Sequence, residues 1–159
     1  MAEVLFYHLT RATLETTLPG LLERSLAKGW WVVLRCGGAE RLAALDSHLW
    51  TYDEAGFLPH GGPQSPFAER QPIYLTTGDE IPNRAEALFL VDGARATPEQ
   101  MAGLTRTVLL FDGRDAAAVA QARHDWKAVT GAGLTAVYWA QTERGWSEKA
   151  RSGANGPTA

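Results

Sequence analysis

Apolar and polar positions along the chain switch between a strand-like and a helix-like period. Residues 4–10 (VLFYHLT) are β-branched and aromatic, which predicts a first strand. Residues 13–28 place Leu14, Leu18, Leu21, Leu22 and Leu26 at helical spacing, with Thr13 as cap and Gly29 as stop. Pro19-Gly20 interrupts that pattern and predicts a loop in place of the helix's first turn. Residues 30–36 (WWVVLRC) are almost all apolar, as in a strand covered on both faces. Gly37-Gly38 turns the chain into a helix over 39–51 with Leu42, Leu45 and Leu49 inward. Residues 53–70 are rich in Gly and Pro and predict a long loop. Further apolar strands are predicted at 73–77, 87–91 (ALFLV), 107–111 (TVLLF) and 134–140 (LTAVYWA). Thr97-Pro98-Glu99-Gln100 opens a short helix to about Leu104. Asp115 caps a helix to about Thr130, which Gly131 and Gly133 end.

Strands alternating with helices predict a mainly parallel sheet with helices on both faces. The fold class expected is α/β and Rossmann-like, a single domain over residues 1–150. Residues 151–159 (RSGANGPTA) are small and polar and are expected to form a disordered tail. The 159-residue length suits one domain with a core that needs no staples.

Composition narrows the function. Lys and Arg number 15 against 18 Asp and Glu, a net charge of −3 that argues against a protein gripping duplex DNA broadly. The balance is uneven. Residues 1–113 carry 9 basic against 14 acidic residues, and residues 114–159 carry 6 against 4. The single cysteine, Cys36, excludes an internal disulfide and a multi-Cys zinc site. No apolar run approaches the roughly 18 residues of a membrane span. The acidic start Met1-Ala2-Glu3 differs from the basic start of a signal peptide, so a cytoplasmic protein is expected.

Catalytic signatures are missing from the sequence. A nucleotide-binding sheet of this kind needs glycines in its first strand-helix turn, so that backbone N–H groups can reach phosphates. Here that turn is His8-Leu9-Thr10-Arg11-Ala12, with no glycine. There is no GxxxxGK[ST], no GxGxxG and no GxSxG elbow. Cys36 ends an apolar strand and reads as a buried, inert thiol. His8, His48, His60 and His124 form no metal-ligand pair, so neither metal nor cofactor is expected. His60, in Pro59-His60-Gly61-Gly62, reads as a loop or partner-contact histidine.

What remains is aromatic and basic. The chain has six Trp residues, a type that favours interfaces as well as cores. On the helix at 115–130, Val119, Ala122, Trp126 and Val129 form a core-facing stripe at steps of 3, 4 and 3. Arg123 and Lys127, four residues apart, share the neighbouring face. Such an edge suits a small acidic and hydrophobic ligand, the guanidinium forking onto a carboxylate while the ring walls an apolar pocket. On the residues alone, the plainer reading is a core Trp with two solvated cations at its boundary.

Several ordered blocks carry a resemblance. Phe6-Tyr7-His8-Leu9, Leu45-Asp46-Ser47-His48-Leu49-Trp50, Phe57-Leu58-Pro59-His60-Gly61 and Ala122-Arg123-His124-Asp125-Trp126-Lys127-Ala128 resemble the chi subunit family of bacterial DNA polymerase III. So do Gly133-Leu134, Tyr138-Trp139 and Gly145-Trp146, so that the resemblance spans residues 4–148. It implies a Rossmann-like domain without a nucleotide site, and a non-catalytic accessory protein of the clamp-loader complex that pairs with the psi subunit. It also implies binding of the acidic C-terminal tail of single-stranded DNA-binding protein, which ends in a Pro-Phe carboxylate, and contact with DNA only through that protein. By the resemblance, Arg123 is the tail-binding arginine, Trp126 a pocket aromatic and Lys127 a further cation. Trp50 matches the Trp closing the second helix, and Phe57 matches the family's psi-contact Phe. Val119 and Thr130 stand where some members carry basic residues, so the cationic field is thinner here. Tail binding is then either weaker or supplied partly by Arg114, Arg144 or Lys149. Two alternatives come from other classes. One is a nucleotide- or metal-dependent enzyme on the same fold, with its ligand at the strand C-termini. The other is direct single-strand DNA binding through stacked Trp, which the negative net charge disfavours.

Overall fold

Strands that are apolar along their whole length must be covered on both faces, and helices provide that cover here. The computed structural model describes residues 2–51, 59–63, 66–143 and 145–152. In chain order these form strand β1 (Glu3–Leu9), helix α1 (Leu14–Ala27), β2 (Val32–Cys36), α2 (Ala39–Thr51) and the two-residue β3 (His60–Gly61). A 3₁₀ turn (Ala68–Arg70), β4 (Ile73–Thr76), β5 (Ala87–Val91) and α3 (Pro98–Ala102) follow. The chain continues with β6 (Arg106–Asp112), α4 (Ala116–Gly131), β7 (Thr135–Thr142) and β8 (Gly145–Ser152). Together the strands make one sheet in the order β3-β4-β2-β5-β6-β1-β7-β8. All pairings are parallel except β7 with β8. The α/β class and the mainly parallel sheet are as the sequence led us to expect.

The period of two sorts side chains between two cores. Leu5 and Leu9 of β1, Leu34 of β2 and Phe89 of β5 pack with Leu18, Leu22, Leu45 and Leu49 of α1 and α2. Val4 and Phe6 of β1, with Leu88, Leu90 and Leu109, pack on the opposite face with Met101, Ala122 and Val129 of α3 and α4. Each fully buried Leu or Phe is worth about 1.5–3 kcal/mol of transfer free energy, so the two layers hold the sheet between them.

Three expectations are corrected. First, α1 runs through Pro19-Gly20 without a break. Thr13 and Thr16 cap it reciprocally, each hydroxyl accepting the other's backbone N–H at 3.3 and 3.2 Å. Pro19 has no N–H for the Glu15 carbonyl, and the His48 Nε2–H of α2 donates to that oxygen at 2.6 Å instead. A tertiary contact thus replaces the hydrogen bond that proline removes. Second, the stretch expected as one long loop contains β3, which adds to the edge of β4, and the 3₁₀ turn; residues 52–58 and 64–65 lie outside the described residues. Third, a strand not foreseen, β8, pairs antiparallel with β7 and reaches Ser152, two residues into the stretch expected to be disordered.

The largest buried polar side chain is held through one of its three nitrogens, Nη1, while Nε and Nη2 have no hydrogen-bond partner among the described residues. Arg35, on a strand that reads as nearly all apolar, is 2% exposed. It donates to the Arg95 carbonyl at 3.1 Å and to Gln100 Oε1 at 2.8 Å. Burial lowers its pKa from the usual arginine value, opposed by the charges of Asp79 and Glu80. Cys36 is buried as expected, and burial, with the Asp92 charge nearby, pushes its thiol up to about 12. The native protein at pH 8 should therefore leave Cys36 unreacted with an aromatic disulfide reagent over a period in which the urea-unfolded chain reacts fully. Equal rates for folded and unfolded chain would contradict this burial.

Candidate functional site

Helix α4 sets the site because it is anchored at both levels, cap and core. Asp115 Oδ1 accepts the N–H groups of Ala117 and Ala118 at 3.0 and 3.4 Å. Ala122 and Val129 are buried, which turns the helix so that Arg123 and Lys127 face water while Val119 and Trp126 are half-buried at the boundary. Asp125 lies between the two cations in sequence but is already engaged: Arg95 reaches its Oδ1 at 3.1 Å and Gln121 Nε2 at 2.9 Å. Neither Arg123 nor Lys127 has an ion-pair partner among the described residues. Thr130 folds its hydroxyl back onto the Trp126 carbonyl at 2.9 Å and adds nothing to the cationic face.

Beneath these cations lies an aromatic floor. The Trp126 ring meets Phe6 edge-on at 5.3 Å and Tyr138 at 6.1 Å. The Tyr138 hydroxyl is 2.5 Å from His8 Nδ1, and the His8 ring stacks on Phe111 at 4.9 Å. Burial raises the Tyr138 pKa, and the Arg123 charge opposes that shift, so guanidinium and phenol act on the same space. Gly113 keeps the floor in place. A Cβ there would come within 2.1 Å of His8 Nε2, so only glycine lets the imidazole lie against the turn after β6.

Of the other candidate residues, Trp50 is 53% exposed at the end of α2. Its ring lies 4.3 Å from that of His60. His60 is buried, not surface-facing, and its Nε2 lies 3.1 Å from Asp46 Oδ1. The structure therefore pairs Trp50 and His60, at the β3 edge of the sheet, apart from Arg123, Trp126 and Lys127. Phe57 and Arg144 lie outside the described residues. Arg114 is taken by Asp112 at 3.2 Å, whereas Lys149 is exposed on β8.

The strand ends form a second depression, a cavity of about 660 Å³ bordered by Leu9, Leu90, Phe111 and Ala118. A phosphate here would need backbone donors, and the three offered by the adjoining turn after β1 are occupied. Gln141 Oε1 of β7 accepts from the N–H groups of Thr10, Arg11 and Ala12 at 2.8, 2.7 and 3.1 Å. These three donors converge as they would on an anion, with a side-chain oxygen in its place. The arginines at the rim are paired too: Arg41 with Glu15 and Asp92, Arg95 with Asp125 and Arg114 with Asp112. No group of three or more His, Cys, Asp or Glu is placed to hold a metal among the described residues. No helix among them is long and apolar enough to cross a membrane.

Sequence reasoning missed His8, Tyr138, Gln141 and Gly113. The alternation in β1 that puts Phe6 on the α4 face also puts His8 there, and the same alternation in β7 places Tyr138 beside Ala136. That periodicity was the available signal for the floor.

Fold and site together define an α/β domain that presents a basic, aromatic flank, with its strand-end donors satisfied from within. A family model for the DNA polymerase III chi subunit, HolC, matches residues 1–137, and the chain belongs to that family. It is also similar to "Probable DNA polymerase III subunit chi" of Rickettsia prowazekii (strain Madrid E), 28% identical over 91 residues. That match covers 57% of this chain and 55% of the relative, so the chain spans about half the length of the curated protein it matches.

The filled donor nest has a direct consequence. ADP or ATP with magnesium should leave the thermal midpoint unchanged to within about 1 °C, because a ligand bound to the native state would raise it by linkage. A rise of several degrees would mean that the nucleotide displaces Gln141.

Proposed function

We propose that this protein is a non-catalytic adaptor of the bacterial replicase. It holds the acidic C-terminal tail of single-stranded DNA-binding protein and so links that protein to the clamp-loader assembly. The observation that carries this reading is the pair Arg123 and Lys127, exposed and without acidic partners among the described residues, beside the half-buried Trp126. The tail's terminal carboxylate pairs with Arg123, its phenylalanine ring packs against Trp126 and Val119, and Lys127 attracts the acidic residues before it. Exposed cations bind in a salt-sensitive way, so the affinity falls as ionic strength rises. With valine and threonine at positions 119 and 130, few phosphate-like contacts are available and DNA is reached through the partner.

A second surface, around the exposed Trp50 over His60, supports docking of the psi subunit, with Phe57 as a further contact. An exposed tryptophan backed by a buried, paired side chain is a rigid anchor of the kind that dominates interfaces. Cytoplasmic residence belongs to the same proposal, as does a single domain whose last strand, β8, reaches Ser152.

The test is fluorescence anisotropy with an acidic peptide ending in Pro-Phe, at low salt. Arg123→Ala should weaken binding at least about tenfold, since losing one partner of a charge-assisted pair costs roughly 1.5–3 kcal/mol. A peptide lacking the final Phe should bind poorly to either protein. Binding unchanged by Arg123→Ala would remove α4 as the tail site.

A further inference from the structure

A phenol hydroxyl has one proton to give, and at Tyr138 two acceptors compete for it. One is His8 Nδ1, 2.5 Å away. The other is whatever anion pairs with Arg123, whose charge acts on the same phenol. The His8 ring decides between them through its tautomer. With the proton on Nε2, Nδ1 accepts from Tyr138, and the phenol has nothing left to donate. With the proton on Nδ1, the imidazole donates to the phenol oxygen and the phenol proton is released for an outside acceptor. His8 Nε2 lies against Gly113 and has no hydrogen-bond partner among the described residues, so the fold itself does not fix the tautomer.

Resting on the tail-binding reading above, we propose that Tyr138 is a second anchor for the terminal carboxylate of the bound tail and that His8 positions it. The carboxylate forks between Arg123 and the Tyr138 hydroxyl, and its arrival selects the Nδ1–H tautomer of His8. One proton leaves Nε2 to solvent, solvent returns one to Nδ1, and the phenol keeps its own while turning it from the ring to the carboxylate. The arrangement makes the site specific for a free chain end. An internal acidic side chain can pair with Arg123, but only a terminal carboxylate beside a ring seated on Trp126 reaches both donors at once. Trp126 meets both Phe6 and Tyr138 edge-on, which fixes the wall of that space.

The experiment compares two acidic peptides ending in Pro-Phe, one with a free carboxylate and one amidated, against the full chain and its Tyr138→Phe variant. Tyr138→Phe keeps the ring against Trp126 and removes only the hydroxyl. The free-acid peptide should bind it at least about tenfold more weakly than the native chain, the loss expected for one hydrogen bond to a charged group. The amidated peptide should bind both proteins equally. In the native chain, ¹⁵N chemical shifts of the His8 ring should move toward the Nδ1–H pattern with the free-acid peptide and stay put with the amide; this readout needs no variant to fold. Equal free-acid affinity for native and Tyr138→Phe, with Arg123→Ala still impaired, would overturn the second anchor and leave the tail site standing. Unchanged binding by Arg123→Ala would overturn both. A His8 spectrum blind to the carboxylate would remove the positioning role.

Discussion

Strand β1 is hydrogen-bonded on both sides and covered on both faces, and the site inherits its position from that constraint. It pairs in parallel with β6 along Glu3 to Leu9 and with β7 from Glu3 to His8. Every backbone donor and acceptor of the strand is therefore committed, and its side chains can point only to the α1–α2 core or to the α3–α4 core. Phe6 and His8 fall on the α4 side. Phe6 takes the edge of Trp126, and His8 takes the phenol of Tyr138. A slip of one residue in β1 would send both to the other core and take Phe6 and His8 out of the floor beneath α4.

The same pairing fills the donor nest at the strand ends. Because β7 lies beside β1 in fixed register, Gln141 arrives at the turn after β1 and fills three backbone N–H groups. A turn without glycine thus needs no phosphate to satisfy it. The chain keeps a sheet of the kind that binds nucleotides and uses its donors for its own packing. On the outer side of α4 Asp125 is held by Arg95, and Arg123 and Lys127 have no ion-pair partner among the described residues.

Much of this is legible in the sequence itself. Strands β2, β5 and β6 form on the expected apolar runs, and Thr13, Thr97 and Asp115 all act as caps. The spacing of Arg123, Trp126 and Lys127 already put two cations beside a boundary ring. Other features depend on contacts that no local pattern encodes. Pro19 is tolerated because His48, on another helix, supplies the missing donor. β8 (GWSEKARS) is largely polar, and it is held by pairing to β7 and by Trp146 meeting Tyr7 edge-on at 5.0 Å. His8 and Tyr138 are far apart in the chain and come together only when β7 pairs with β1. His60 sits in a stretch that reads as loop, yet Asp46 and Trp50 of α2 bury it.

On this proposal an acidic tail docks on α4, not in the strand-end crevice or around Trp50. The most direct measurement is a map of amide and indole NMR shifts as a free-acid tail peptide is added to the uniformly labelled chain. The account requires the largest changes at Arg123, the Trp126 indole, Lys127 and Tyr138, with Thr10 to Ala12 and the Trp50 indole unmoved. Changes centred on the Thr10–Ala12 turn or on Trp50, with α4 silent, would contradict it.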